Sequence, residues 1–202
     1  MRTLQLEKSD ITLRENLQET EFKKDFGGNC KMTLTPLLSA HEIQMVTNWL
    51  FESVTESLTT HQKTVRPSMA PTPERSKRNF MIKMEPSIPV AKVQIIAVQE
   101  DVFSLHQDCE ESHLIIRPVF NPKLQQNPSL YSNAVRMACL YSFTHLRALQ
   151  VWMEVPSYQK PFMTTLQDAG FQIQSEFFAQ AYPITKLTMT LKEFKKREFF
   201  SI

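Results

Sequence analysis

Glycine is scarce in this chain, with three among 202 residues, where average usage of about 7% would supply roughly fourteen. The scarcity excludes a collagen-like repeat, a Gly/Ser linker, the Gly-x-Gly-x-x-Gly dinucleotide turn and the P-loop. Gly27 and Gly28 are adjacent, which leaves Gly170 for the rest of the chain. Cysteine is equally thin. Cys30, Cys109 and Cys139 are odd in number and far apart, so they form neither a disulfide framework nor a zinc spacing, and buried free thiols are expected. The five histidines add no metal-ligand spacing, and no metal is expected. Charge of one sign is missing too: 23 basic against 21 acidic residues leave a net +2, too balanced to imply a nucleic-acid or membrane-surface partner. No apolar run reaches about 18 residues, and the opening Met1-Arg-Thr-Leu-Gln-Leu-Glu-Lys is too charged for a signal peptide. A cytoplasmic protein without a membrane partner is the expectation.

What is present suits one soluble domain with an appendage: 202 residues, 42% of them apolar, are enough to bury a full core. Residues 1–28 mix charge with scattered apolar residues and read as an N-terminal extension; residues 29–202 read as a single domain. Cys30 to Leu38 alternates as a strand does. Ser39 and Glu42 form a capping box, and Ile43, Val46, Trp49, Leu50 and Val54 then give a helix one apolar face. From Thr59 to Lys77 the composition turns to Thr, Ser and Pro, with Pro67, Pro71 and Pro73 forbidding a helix. This is expected to be a flexible loop, and its Lys63, Arg66, Arg75 and Lys77 would suit an acidic partner.

Strands are expected at Asn79–Met84, Val90–Val98 and Ser112–Arg117, with Pro86 and Pro89 marking a turn. Asn127 caps a helix whose first residue is Pro128 and whose inner face is Leu130, Ala134, Met137, Ala138 and Tyr141. A strand from Leu149 to Val155 stops at Pro156. Ser157 then caps a helix to Ala169, and Gly170 sits just past its end, where a left-handed conformation is usual. Phe171–Phe178 and Ile184–Leu191 read as final strands joined by a turn at Tyr182-Pro183. The tail from Lys192 to Phe200, basic with aromatics interleaved, reads as a frayed end with a solvated face; contact with nucleic acid is the weaker account. The fold class is α/β or α+β, a mixed and largely antiparallel central sheet flanked by helices. The passage from Leu114 to Val155 is right-handed if its strands are parallel.

This order, together with Leu149-Gln-Val-Trp-Met-Glu-Val-Pro followed by a helix and Leu166-Gln-Asp-Ala-Gly170-Phe171, resembles the GNAT superfamily of acyl-coenzyme-A-dependent N-acyltransferases. The likeness spans residues 30 to 192 in element order. It implies a splayed strand pair that admits the pantetheine arm of acetyl-CoA or another acyl-CoA, lined here by Ile115, Ile116 and Arg117. It also implies a pyrophosphate at the start of the following helix, where backbone N–H groups and the helix dipole favour an anion. The family writes that turn Gln/Arg-x-x-Gly-x-Gly/Ala, and the matching register is Gln126-Asn-Pro-Ser129-Leu-Tyr131. The glutamine is kept, Ser129 and Tyr131 replace small residues, and Leu130 lies between them. Gln159 stands where the family often has an asparagine.

For the chemistry, the family's carboxylate maps to Glu111, with Glu110 as the other register, and would take the proton from the amine. Where the family often has an acid tyrosine this chain has Leu166, so Tyr158 or Tyr131 would have to supply a replacement. Plainer accounts accompany each residue: an exposed strand-end charge for Glu111, partly buried aromatic hydroxyls for the tyrosines, a satisfied histidine for His113, buried thiols for Cys109 and Cys139. The resemblance implies an N-acyltransferase acting on an amine-bearing small molecule or peptide. The alternative is a catalytically inactive GNAT-fold binding or regulatory protein, since fold does not fix function. A second copy of the chain, as a homodimer, stays open as a partner.

Overall fold

The computed structural model describes residues 21–37, 39–60, 74–98, 113–124, 127–179 and 182–199. Strands β1 (Phe22–Asp25) and β2 (Lys31–Pro36) precede helix α1 (Ala40–Thr60), which is followed by β3 (Glu74–Met84), β4 (Ile88–Val98) and β5 (His113–Phe120). A short 3-10 turn, Pro122–Leu124, leads to α2 (Pro128–Thr144), β6 (Gln150–Pro156), α3 (Lys160–Ala169), β7 (Gln172–Ala179), β8 (Tyr182–Thr190) and α4 (Leu191–Phe199). The eight strands form one sheet in the order β1-β2-β3-β4-β5-β6-β8-β7. Neighbours pair antiparallel except β5 with β6, which are parallel. The mixed, largely antiparallel sheet expected from the sequence is therefore observed.

Both faces of the sheet centre are covered, which is why β4 and β5 are apolar on both sides. On one face Phe80, Ile82, Val93, Ile95, Leu114, Ile116, Val151 and Met153 pack with α2 through Ala134, Met137, Ala138 and Tyr141, and with Leu166 of α3. On the other face Val46 and Trp49 of α1 seat on Met81, with Leu37, Met45 and Val119 around them. The expected inner face of α2 is buried throughout, and Pro128 stands in its first turn. Gly170 ends α3 at φ +111°, as its position predicts.

Several expectations are corrected. Phe22–Asp25, inside the stretch read as an extension, is a strand on β2 with Phe22 opposite Leu34 and Asp25 opposite Lys31. Gly27 and Gly28, at φ +79° and +58°, make the turn between them; a charged edge strand this short leaves no apolar period to read. Helix α1 runs to Thr60 and β3 begins at Glu74, so both ends of the expected loop are regular structure, and residues 61–73 lie outside the described residues. On α1, Val46 and Trp49 are buried but Ile43 and Leu50 are exposed, and Met45 joins the packing instead. Ser157 does not cap α3: its Oγ hydrogen-bonds Thr185 Oγ1 at 2.8 Å, and the helix begins at Lys160 after Gln159. Tyr182 and Pro183 belong to β8 rather than to a turn.

The tail is a docked helix. Glu193 accepts hydrogen bonds from the backbone N–H of Thr190 at 2.8 Å and from its hydroxyl at 2.9 Å, which fixes the start of α4. Phe194 is buried with its ring 4.9 Å from that of Phe143, and Arg197 donates to the carbonyl of Asp168.

Candidate functional site

Strands β5 and β6 pair over three positions, His113 with Gln150, Leu114 with Val151 and Ile115 with Trp152. Both run on beyond that point without pairing to each other, β5 to Phe120 and β6 to Pro156. A gap therefore opens in the middle of the sheet, between backbones that are paired on their outer sides to β4 and β8. Pro118 and Pro156 offer no N–H to a ladder, which suits strands that part company. At the wide end, on the α2 face, the ring of Phe120 stacks on Tyr131 at 4.1 Å and meets Phe162 of α3 edge-on at 5.4 Å.

The opposite face of the gap is polar. Arg117 Nη2 lies 3.7 Å from Glu154 Oε2 across it. Glu154 is directly opposite Lys186 on β8, and the Lys186 ammonium sits 3.5 Å above the ring of Trp152. The indole Nε1 of Trp152 is buried with no hydrogen-bond partner among the described residues. On β4, burial pushes the Lys92 ammonium below its ordinary 10.5, and the nearby Arg117 charge pushes it the same way. The ring of His113 lies parallel to that of Trp152, centroids 6.2 Å apart.

The residues named from sequence fall at different depths. Ile115 and Ile116 are fully buried where the gap opens, and Arg117 lies just beyond. Leu130 is buried in the core, and Tyr131 donates its hydroxyl to the Asn121 carbonyl at 3.0 Å. Ser129 is exposed in the first turn of α2 and donates to Asn127 Oδ1 at 2.6 Å. Asn127, the expected cap, makes no side-chain capping bond. Tyr158 and Gln159 are exposed between β6 and α3. Glu110, Glu111, Gln126 and Cys109 lie outside the described residues. Leu166, in the place of the family's tyrosine, is wholly buried. The sequence reading missed Lys92, Trp152, Glu154 and Lys186, whose shared signal is a polar or amphipathic residue inside an otherwise apolar strand.

An acyl-CoA fits this arrangement in its arm. Strand backbones that do not pair with each other offer N–H and carbonyl groups to an amide-bearing chain. At α2 the fit rests on the exposed first turn at Ser129, where Pro128 removes one N–H and the Tyr131 hydroxyl is already committed. Among the described residues no group of three or more His, Cys, Asp or Glu side chains could hold a metal ion.

No protein-family model matches the sequence, and no curated protein does. Solved structures match at the level of fold. An uncharacterized protein from Bacillus halodurans superposes with a TM-score of 0.65 at 14% identity, over 90% of this chain and 96% of that one. The aminoglycoside acetyltransferase AAC(6')-Ib in complex with coenzyme A gives 0.61 at 15% identity, over 83% and 99%. A variant of the spermidine N-acetyltransferase of Vibrio cholerae gives 0.58 at 14%, over 83% and 98%. With its mixed, largely antiparallel eight-stranded sheet flanked by helices, this chain has the fold of the GNAT acetyltransferases.

Proposed function

We propose that the protein is an N-acyltransferase that moves an acetyl or longer acyl group from coenzyme A to an amine-bearing small molecule or peptide. The gap between β5 and β6, beginning beyond Ile115 and Trp152, carries this reading. Ile115, Ile116 and Arg117 would hold the arm of the cofactor along β5, Gln126, Ser129, Leu130 and Tyr131 would shape its phosphate end at α2, and Gln159 would flank it beyond β6. When bound, acyl-CoA supplies an activated thioester. Glu111 takes the proton from the attacking amine, Tyr158 protonates the departing thiolate, and backbone N–H groups of β5 polarise the thioester carbonyl. A cytoplasmic setting belongs to the same proposal; no described helix is long and apolar enough to cross a membrane.

A second reading, a GNAT-fold binding protein without the reaction, is favoured by the Phe120–Tyr131–Phe162 cluster at the wide end of the gap and by the buried Leu166. Thermal-shift titration with acetyl-CoA, longer acyl-CoAs and free coenzyme A separates the two. A true ligand at a hundredfold excess over its dissociation constant stabilises by about 2.7 kcal/mol, and thiol release in the presence of amines should follow. Glu111→Gln and Tyr158→Phe should then lower kcat with binding retained. The absence of any shift at millimolar ligand moves the assignment to the second reading.

A further inference from the structure

We propose that Lys186 is a self-acylation site, its ε-amine taking an acyl group from the thioester donor held between β5 and β6. This rests on the acyltransferase reading, because the donor is the one assigned to that gap.

The direction of the donor's arm sets where its thioester lies. Helix α2, whose start is assigned to the phosphate end, follows β5 beyond Phe120, so the arm enters at the wide end of the gap and its sulfur points toward the narrow end. There the pairing of β5 with β6 stops at Ile115 and Trp152. A primary amine stands at the same place. Met153 and Leu187 face the α2 core, and side chains alternate along a strand, so Trp152 and Glu154 of β6 and Lys186 of β8 point to the opposite face. The Lys186 ammonium sits 3.5 Å above the Trp152 ring, and that ring lies parallel to the His113 ring of β5, centroids 6.2 Å apart. The lysine thus reaches past Glu154, the residue directly opposite it, to the last paired position before the gap.

The surroundings suit the reaction. A ring face attracts an ammonium through its quadrupole, and the flexible four-carbon stem lets the amine leave that face. Directly opposite residues of an antiparallel pair have Cβ atoms about 4.5–5.5 Å apart, which puts the Glu154 carboxylate beside the amine; its bridge to Arg117 at 3.7 Å holds it at the gap. Glu154 takes one proton from the ammonium, and the free amine attacks the thioester carbonyl. The N–C bond forms, the C–S bond breaks, and the second proton leaves with the sulfur as coenzyme A thiol. The product is an amide that keeps its acyl group, so it lies beside the transfer to the substrate and is no intermediate of it. Acylation removes the charge and with it the hold on the Trp152 ring.

The test incubates the full-length protein with acetyl-CoA, without an added amine, and follows acetylation of each lysine by peptide mass spectrometry. Lys123 and Lys160 are exposed near the wide end and serve as the internal comparison, since reactivity that followed exposure alone would label them first. Lys186 should instead be acetylated at least tenfold faster than either. Its rate should saturate with acetyl-CoA and fall when free coenzyme A competes. Acetyl phosphate, a donor without the arm, should show no preference for Lys186. Glu154→Gln should slow labelling of Lys186 at least tenfold while the thermal shift with coenzyme A is retained; should that variant fail to fold, competition by free coenzyme A in the parent protein decides. Labelling of Lys123 or Lys160 as fast as Lys186, the same preference with acetyl phosphate, or an unmodified Lys186 overturns the proposal. Thiol release with added amines while Lys186 stays unmodified removes the self-acylation site and leaves the acyltransferase reading standing. Acetyl-CoA that neither binds nor labels the protein removes both.

Discussion

Gly170 carries two constraints at one atom. Its φ of +111° is a conformation that a side chain strains, and a Cβ there would come within 2.9 Å of Arg197 Cδ. The Arg197 side chain can move, but the hydrogen bond it donates to the Asp168 carbonyl would move with it. Gly170→Ala should therefore lower stability by more than about 1 kcal/mol, and an unchanged urea midpoint would show that the backbone relaxes there. Glu42 offers a prediction with a sign. Burial raises its carboxyl, but hydrogen bonds from Lys83, 2.7 Å away, and from Ser39, together with the Lys83 charge, outweigh burial and hold it below the ordinary 4.5. The folded form thus favours the carboxylate, so its stabilisation is present above pH 4.5 and is lost as pH falls through the lower folded value. Glu42→Gln should cost about 1 kcal/mol at pH 7, and denaturant curves should show the difference from the parent shrinking on acidification. A gap that stays constant from neutral to pH 3 would contradict the assignment.

At the scale of elements, what the sequence made legible follows from how many residues vote. The α2 face has five apolar positions in period and a proline at its start, and the β6–α3–Gly170 passage has punctuation at both ends; each was readable. Helix α4 was not, because Lys192, Lys195, Lys196 and Arg197 dominate its composition while, among its described side chains, Phe194 is buried in the core and Leu191 packs against its edge. Phe194→Ala should then cost about 3 kcal/mol, measured by thermal or urea unfolding, whereas a frayed tail would be indifferent to it. Site residues divide in the same way. Ile115, Ile116 and Arg117 follow one another on one strand, and the family resemblance names them together. Lys92, Glu154 and Lys186 come from β4, β6 and β8, and Glu154 stands opposite Lys186 because β6 pairs with β8 rather than with β7. That lateral order is set by which strands pair, and a linear reading of alternation carries no information about it. The same holds for Phe120, Tyr131 and Phe162, which converge from a strand end and two helix starts.

Taken as a whole, the molecule opens one gap in a single sheet, between β5 and β6 beyond Ile115 and Trp152, and where its thiols stand relative to that gap bears on the kinetics expected of the proposed reaction. Cys139 is wholly buried in the α2 core, and Cys30 is partly buried beside Asn133, whose amide donates to its sulfur at 3.4 Å. Neither described thiol stands at the gap to accept an acyl group in a covalent intermediate. If the protein is the proposed acyltransferase, the amine is then expected to attack the thioester directly, which requires both substrates bound together. If the protein is the proposed acyltransferase, initial rates measured while varying one substrate at several fixed levels of the other should give intersecting double-reciprocal lines. Each substrate should also stabilise the protein without the other if the two bind independently at the gap. Parallel lines would instead require an acyl-enzyme, and Cys109→Ala would then be expected to abolish turnover. With direct attack, Cys109→Ala leaves kcat/KM within twofold of the parent, because the nucleophile is the substrate amine and no cysteine carries the acyl group on that path.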